Sequence, residues 1–230
     1  MMKKILAFAL VVCLCVPALF SCASIKTKKT VDDLADKYSV SQPTKVSATT
    51  KQTINELELN SSYEIVTGYV DNAPAFVYTS TVESIRSVEE GGENEEIKEL
   101  IKVESKTIEG IEGKGTRVNG GNWDEETNQW SIGRGRMALY LNHKLLENIS
   151  YENNTFTCTI PHENVAEVLG SSYAADVASD VTLIIVDDGA VVTSIELFYN
   201  LTANADVHIA TSSMHVKVVY TYDIEKINID

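Results

Sequence analysis

The last third of the chain alternates apolar and polar residues over three consecutive stretches. These stretches are Val181–Val186, Ala190–Leu201 and Val207–Tyr222, and Asp187-Asp188-Gly189 stands between the first two. A period of two sends every second side chain to the same face of a β-strand, and an Asp-Gly pair between two such runs favours a hairpin turn. The pattern therefore predicts a three-strand antiparallel meander with one apolar face, whose last strand is interrupted near Ser212-Ser213.

The same alternation, with fewer apolar residues, recurs in the first two thirds of the chain. Predicted strands there are Thr44–Ile54, Tyr63–Tyr69, Ala75–Ser87, Ile101–Thr107 and Thr155–Ile160. Turn-forming residues separate several of them, as at Asp71–Pro74 and Asn153-Asn154. The glycine-rich stretch Gly110–Gly121 is interpreted as bent or bulged strand. Met137–Glu147 fits a helix or a strand equally well, and the sequence leaves that choice open.

Two short helices are also predicted. Thr30-Val31-Asp32-Asp33 has the form of a capping box, and the residues after it place an apolar stripe on one helix face. That stripe consists of Val31, Leu34, Ala35 and Tyr38. The second helix, Pro161–Leu169, has proline near its start and Gly170 just past its end. The predicted fold class is therefore α+β, mainly β.

The N-terminus has the layout of a secretory signal. Lys3 and Lys4 precede an uncharged apolar run, Ile5–Phe20, which is shorter than the roughly 20 residues that a spanning helix needs. The ending Leu19-Phe20-Ser21-Cys22 resembles a lipobox, although Phe20 is bulkier than the usual residue there. This resemblance implies cleavage by signal peptidase II and a lipid on Cys22. The alternative is an ordinary signal peptide followed by a chance cysteine.

The predicted domain organisation follows from this leader. Residues 1–21 form the signal peptide, residues 22–29 the lipidated Cys22 and a flexible tether, and residues 30–230 a single domain. The predicted location is the extracytoplasmic side of a cell membrane, at the cell surface or in the periplasm. Whether the envelope is Gram-positive or Gram-negative stays open.

The charge of the chain excludes one class of partner. The net charge is −14, and removal of Lys3 and Lys4 with the leader takes it to −16. So acidic a domain is repelled by phosphate backbones, which argues against nucleic-acid binding. Beyond Cys22 the only cysteine is Cys158, so an acylated Cys22 leaves no intramolecular disulfide. The domain is predicted to be a monomer.

Several segments invite a chemical role but lack the residues it requires. The acidic run Glu89–Glu99 lacks the ligand spacing of a calcium loop, and Gly113–Thr116 lacks the Gly-Lys-Ser/Thr order of a phosphate loop. Nothing in the sequence places two carboxylates of the acidic loop between Trp123 and Trp130 across a cleft. Those two tryptophans either stack on a sugar or cover a core edge, the second being commoner.

The cysteine and histidine candidates also lack the surroundings that a chemical role requires. Cys158 alternates with Phe156 and Ile160, which predicts a buried, inert thiol rather than a nucleophile activated by the nearby His162. His208 and His215 are too far apart on one strand to share a metal. We therefore predict no catalytic residues, no metal site and no cofactor, and a protein that is not an enzyme.

The order of elements resembles that of the LolA/LppX-like lipoproteins. The stretches that carry the resemblance are Thr159–Gly170, Val186–Tyr199 and Tyr220–Ile227. It implies a strongly curved antiparallel sheet, an incomplete barrel, with short helices on the concave side. It also implies a lipid or other hydrophobic ligand in the concave cavity, although no motif assigns particular ligand-binding residues. This function rests on analogy of fold alone.

Two functions are therefore expected of this chain. The first is a membrane-anchored lipoprotein that binds or carries a lipid or other hydrophobic molecule, with its helices acting as a movable plug. The alternative is a non-enzymatic envelope protein that binds a protein or glycan partner. A continuous apolar hollow favours the first function, and a packed core favours the second.

The lipobox resemblance leads to the first prediction. Replacing Cys22 by Ala removes the thiol that would carry the lipid, so the variant is expected to leave the membrane fraction or to keep its leader. Fractionation and mass spectrometry of the N-terminus measure both outcomes. A Cys22→Ala variant that is processed normally and still sediments with membranes would show that the lipobox interpretation is wrong.

Overall fold

A computed structural model describes residues 27–39, 42–54, 57–89, 96–125, 137–171, 175, 177–205, 208–222, 227 and 229. For residues 87–89, 96–98, 202–205 and 208–211 it describes the backbone only. The predicted signal peptide, Cys22, most of the acidic run and Trp130 lie outside these residues. Within the described ranges, no helix is long and apolar enough to cross a membrane.

One antiparallel sheet of ten strands contains most of the described residues. The strands are β1 Lys45–Ile54, β2 Leu57–Val70, β3 Ala73–Glu89, β4 Glu96–Ile111, β5 Gly115–Val118, β6 Glu147–Glu152, β7 Thr155–Ile160, β8 Val181–Asp187, β9 Val192–Ala205 and β10 His208–Thr221. Their spatial order is β5-β4-β3-β2-β1-β10-β9-β8-β7-β6. The sheet is not closed, and short helices accompany it. The predicted fold class, mainly β with a curved open sheet, is confirmed.

Two meanders make up this sheet, and one long-range pairing joins them. Strands β1 to β5 and strands β6 to β10 each follow one another in sequence, while β1 pairs with β10. Two-residue turns connect neighbouring strands at Asp71-Asn72 and Asn153-Asn154, where all four residues have positive φ. Asn and Asp tolerate this conformation, so these tight hairpins follow from the sequence.

Two short helices cover one face of the sheet, which we call the inner face. Helix α1 comprises residues 27–39, and helix α2, Val165–Leu169, follows a 3-10 turn at His162–Asn164. The predicted stripes of both helices are confirmed, since their apolar residues belong to the main core. Strands β1 and β7 to β10 supply most of the rest of that core, with Leu141, Leu146 and Val177 from the segments between elements. Its most enclosed members include Phe156, Ile160, Leu183, Ile195 and Leu197.

A second, smaller cluster lies at the β3–β4 end of the sheet. Ala75 and Ile111 pack there with Ile227, and Trp123 covers their edge. The commoner of the two interpretations of Trp123, a cover for a core edge, is therefore confirmed. In the adjacent row, the buried ring of Phe76 lies against Gly110, where a Cβ atom would come within 2.2 Å of the ring.

Several local predictions are wrong. Helix α1 is already formed at Thr27, so it does not begin at Thr30, and residues 27–29 are not part of a tether. Residues 137–146 form neither a helix nor a strand, and only Glu147 belongs to β6. The stretch 110–121 contains the end of β4, a hairpin turn at 112–114 and the whole of β5, and their pairing is regular. Strand β10 runs through Ser212 without interruption. Ser212 is buried, and its hydroxyl accepts a hydrogen bond from the Gln52 side chain.

A buried carboxylate ties α1 to the sheet. Asp187, at the end of β8, accepts hydrogen bonds from Lys37 Nζ at 2.7 Å and from the Tyr151 hydroxyl at 2.8 Å. The backbone N–H of Gly189 donates a third, also at 2.8 Å. Burial alone would raise the pKa of Asp187, but these donors, Lys37 first, outweigh it and hold the pKa below its usual value. Asp187 is therefore an anion that the fold stabilises.

The Asp187 contacts predict a pH-dependent contribution to stability. Asp187→Asn removes the charge that faces Lys37, so we expect the free energy of unfolding at neutral pH to fall by about 1–3 kcal/mol. Because the folded pKa is lowered, the contribution is complete above the ordinary range of aspartate, near 4. It is lost as the pH falls through the folded pKa, so wild type and variant converge in acid.

Urea unfolding of both proteins from neutral to acidic pH measures this difference. Asp33→Asn is the control, because Asp33 is an exposed aspartate on α1, the helix that contributes Lys37. Equal stabilities of wild type and Asp187→Asn at neutral pH would contradict the proposed role of the buried anion.

Candidate functional site

The inner face is filled where the helices cover it. Val31 and Leu34 of α1, and Val165 and Val168 of α2, are buried in the same cluster as the strand residues beneath them. A movable plug over an empty hollow would leave such side chains loosely packed. The lipid-carrier prediction therefore has little support from this part of the molecule.

Three hollows lie instead in a row on the opposite, outer face. The largest has a volume of about 570 Å³ and is crossed by β9, β10 and β1. It shares Lys51 and His215 with a second hollow of about 280 Å³. That hollow shares Thr49, Ser62 and Thr81 with a third, of about 300 Å³. Together they form one groove, which we call the outer-face groove.

The strand register shows how the groove is built. A line of directly opposed residues crosses six strands from β9 to β4: Phe198, His215, Lys51, Asn60, Glu83 and Val103. Adjacent strands are about 4.8 Å apart, so this row spans about 24 Å. Phe198 and His215 point away from the helices because Leu197 and Val216 beside them are buried in the core, and the strand register places the other members on the same face.

An aromatic pair forms the floor at one end of the groove. The rings of Phe198 and His215 are stacked, with centroids 4.3 Å apart and planes 7° from parallel. Phe198 is 39% exposed, so part of this platform is open to solvent. A flat apolar surface of this kind is suited to a ligand that has a flat apolar face of its own.

A charged cluster holds His215 in place. Its Nε2 lies 3.1 Å from Oε2 of Glu196. The other carboxylate oxygen of Glu196, Oε1, forms an ion pair with Lys217 Nζ at 2.7 Å. The hydrogen bond from Lys217 is the main reason that the pKa of Glu196 lies below its usual value, with a smaller contribution from His215. Glu196 is therefore ionised at neutral pH and orients the imidazole against Phe198.

Hydroxyl, amide and charged side chains line the rest of the groove, with Asp180, Glu83 and Glu64 as its carboxylates. Lys51 forms an ion pair of 2.7 Å with Glu58, and the same carboxylate accepts a hydrogen bond from Asn60. Among the described residues, the hydroxyls of Thr49, Thr53 and Ser62 have no protein partner. These hydroxyls are therefore available to a ligand that donates and accepts hydrogen bonds.

The structure disperses the sequence-predicted candidates rather than bringing them together. Gly113 and Lys114 form the β4–β5 turn, where Lys114 lies over the ring of Trp123 instead of facing a groove. Backbone Asp124 bridges to Thr116 at the same end of the sheet. His162 begins the 3-10 turn, with Nε2 3.0 Å from the carbonyl of Val177. In the described ranges, no group of three or more His, Cys, Asp or Glu residues could hold a metal ion.

Sequence reasoning missed the groove because its members come from strands far apart in the chain. One signal was present. Phe198 falls on the polar face of a strand whose apolar face contains Ile195 and Leu197, so an exposed aromatic ring was predictable. Its partner His215 lies on the next strand, and only the β9–β10 register places the two rings face to face.

No family model matches the chain, and no curated protein matches it with significance. Solved structures that resemble it include a DUF1329 family protein from Desulfovibrio piger ATCC 29098, at 9% identity and a TM-score of 0.27, covering 89% of this chain and 93% of that one. A porin-like protein from Bacteroides uniformis ATCC 8492 is 8% identical with a TM-score of 0.22, covering 80% and 98%.

These likenesses are too low to carry any inference about function. Neither protein is described as LolA- or LppX-like, so that resemblance stays a prediction.

Cys158 leads to a prediction about reactivity. The side chain is buried in the core, as the alternation predicted, and burial raises the pKa of its thiol to about 12. Since the thiolate is the reactive form, Cys158 should react with a thiol reagent only as fast as the domain opens. Labelling at increasing urea concentration measures this, and rapid labelling of Cys158 in the native protein would contradict its burial.

Proposed function

We propose that this chain is a lipid-anchored extracytoplasmic protein that binds a carbohydrate ligand in the outer-face groove, without catalysing a reaction. The stacked pair of Phe198 and His215, exposed at the end of a groove lined by hydroxyl and amide groups, is the observation that carries the proposal. The leader and Cys22 support the location. This proposal follows the second function expected from the sequence, a non-enzymatic envelope protein that binds a protein or glycan partner.

The chemistry of the groove favours a carbohydrate over other ligands. A sugar ring offers a flat C–H face for the aromatic pair, and its hydroxyls both donate and accept hydrogen bonds with Thr, Ser and Asn. The main hollow, about 570 Å³, lies within the range of small-ligand sites, roughly 300–1,000 Å³. A chain of sugars could continue along the row, because the hollows adjoin.

Other classes of ligand have less support. A lipid chain needs a continuous apolar wall, whereas charged and hydroxyl side chains interrupt this groove at Lys51, Thr53 and His215. The net charge of −14 opposes polyanions such as nucleic acids. The carboxylates of Glu196 and Glu58 lie beside the groove and favour a neutral saccharide over an acidic one.

The experiment is a binding screen with neutral oligosaccharides, followed by calorimetric titration of those that bind. Phe198→Ala removes the platform, so we expect the dissociation constant to rise by roughly tenfold, a change typical of a truncated aromatic anchor. Tyr69→Ala is the matched control, because Tyr69 is an aromatic residue 66% exposed outside the groove. Thermal unfolding of both variants shows that neither change disrupts the fold.

Two outcomes would contradict the proposal. One is equal affinity of wild type and Phe198→Ala for every oligosaccharide that binds. The other is saturable binding of a fluorescent fatty acid with no binding of any saccharide, which would support the lipid-carrier hypothesis instead.

A further inference from the structure

Hydroxyl side chains on adjacent strands line the two smaller hollows of the outer-face groove. The register places one such side chain opposite the next from β1 to β4, in a line that we call the hydroxyl row: Thr49, Ser62, Thr81 and Ser105. Each member is two residues away from a member of the row that begins at Phe198, so both rows lie on the same face. Adjacent strands are about 4.8 Å apart, so the hydroxyl row is regular over about 14 Å.

The groove crosses the strands obliquely, and the hydroxyl row lies along its middle. The hollow of about 280 Å³ lies between this row and the row that contains Phe198, since Asn60 and Glu83 also line it. The hollow of about 300 Å³ lies on the other side of the hydroxyl row, where Glu64 and Thr79 line it. Three members of the hydroxyl row line both hollows: Thr49, Ser62 and Thr81. A ligand that occupies both hollows therefore passes over three consecutive hydroxyls.

The path from the aromatic platform to the last hollow is longer than one sugar unit. From Phe198 on β9 to Thr79 on β3, it crosses four spaces between strands and advances four residues along them. With about 4.8 Å per space and about 3.4 Å per residue, its ends are about 23 Å apart. The two smaller hollows, of about 280 and 300 Å³, are each close to the lower limit of small-ligand sites, roughly 300 Å³. The groove therefore has room for several units in line.

The hydroxyl row is preorganised for a polar ligand. Thr49 and Ser62 are exposed, and neither hydroxyl has a partner in the part of the chain that the structure describes. Thr81 and Ser105 share a hydrogen bond of 3.3 Å, which leaves both oxygens able to accept another. The strand ladder fixes the backbone beneath each hydroxyl, and threonine has a restricted χ1, so binding removes little side-chain freedom.

The charges that line the groove favour a ligand without anionic groups. Lys51 is already paired with Glu58. Glu64, Glu83 and Asp180 place carboxylates along the path. An acidic chain would meet these carboxylates, and the described lining residues include no unpaired lysine or arginine to offset them.

We propose that the ligand is an extended, neutral chain of sugar units that crosses the sheet obliquely from Phe198 to Thr79. One unit stacks on the platform of Phe198 and His215, and the units that follow bind the hydroxyl row. This inference rests on the proposed function and adds to it the length and the path of the ligand. A repeating ligand fits because the strand spacing repeats the hydroxyl groups at each step, whereas a single sugar occupies one hollow only.

A length series tests this path. The probes are cello-, malto- and xylo-oligosaccharides, each from the disaccharide to the hexasaccharide, in calorimetric titrations of the purified chain. In a series that binds, we expect affinity to rise by roughly tenfold or more from the shortest to the longest member, because each added unit makes further hydrogen bonds. The rise should stop once the chain of sugars fills the last hollow.

Removal of hydroxyls locates the units along the path. The double variant Thr49→Val/Ser62→Ala should weaken binding of the hexasaccharide by roughly tenfold and leave that of the disaccharide unchanged, since the disaccharide occupies the platform. Phe198→Ala should weaken both. Thr157→Val is the matched control and should weaken neither, because Thr157 lies between buried Phe156 and Cys158, on the outer face of β7 but outside the groove. Thermal unfolding of each variant shows whether the fold is kept.

The outcomes separate this inference from the proposed function. Affinity that does not depend on length, or hexasaccharide binding that the double variant leaves intact, would overturn the extended path alone. Absence of binding by every series, or binding that Phe198→Ala leaves intact at every length, would overturn the proposed function and this inference with it.

Discussion

The fold depends on the pairing of β1 with β10. These strands are separated by more than 150 residues, yet they pair over nine residues, from Lys45–Thr221 to Thr53–Ser213. Each meander alone would end in an exposed strand at this point, and the core of the inner face would be divided. Val46 and Ala48 of β1 share that core with Val218 of β10. Because closing a chain segment of this length carries an entropic cost before its contacts form, we expect folding to be limited by this pairing.

The same pairing creates the outer-face groove. Since side chains alternate between faces, the register that buries Val216 and Val218 necessarily presents His215 and Lys217 on the other side. A slip of one residue would exchange the two sets and place charges in the core. The core therefore fixes the position of His215 opposite Phe198 and Lys51, although none of these three residues contributes to it.

The elements set by local chemistry were predictable, and those set by distant partners were not. The C-terminal meander and the stripe of α1 follow from periodicity and turn residues close in sequence. The predicted start of α1 is wrong because Thr30 has the sequence signature of an N-cap, whereas in the structure it lies within the helix. Residues 137–146 gave no clear period since tertiary contacts hold them, such as the hydrogen bond from Tyr140 N–H to the Val168 carbonyl. The groove depends on registers across the whole sheet.

Core and surface functions are separated along the strands. β3 has 17 residues, about 55 Å, but its buried residues Ala75 and Phe76 are at one end, and none of its described side chains from Val77 to Arg86 is buried. In this region the described side chains are half-buried or exposed, and the backbone ladder with its cross-strand pairs supplies the described contacts. Substitutions there have little effect on the core, so its faces and edge are open to selection for binding.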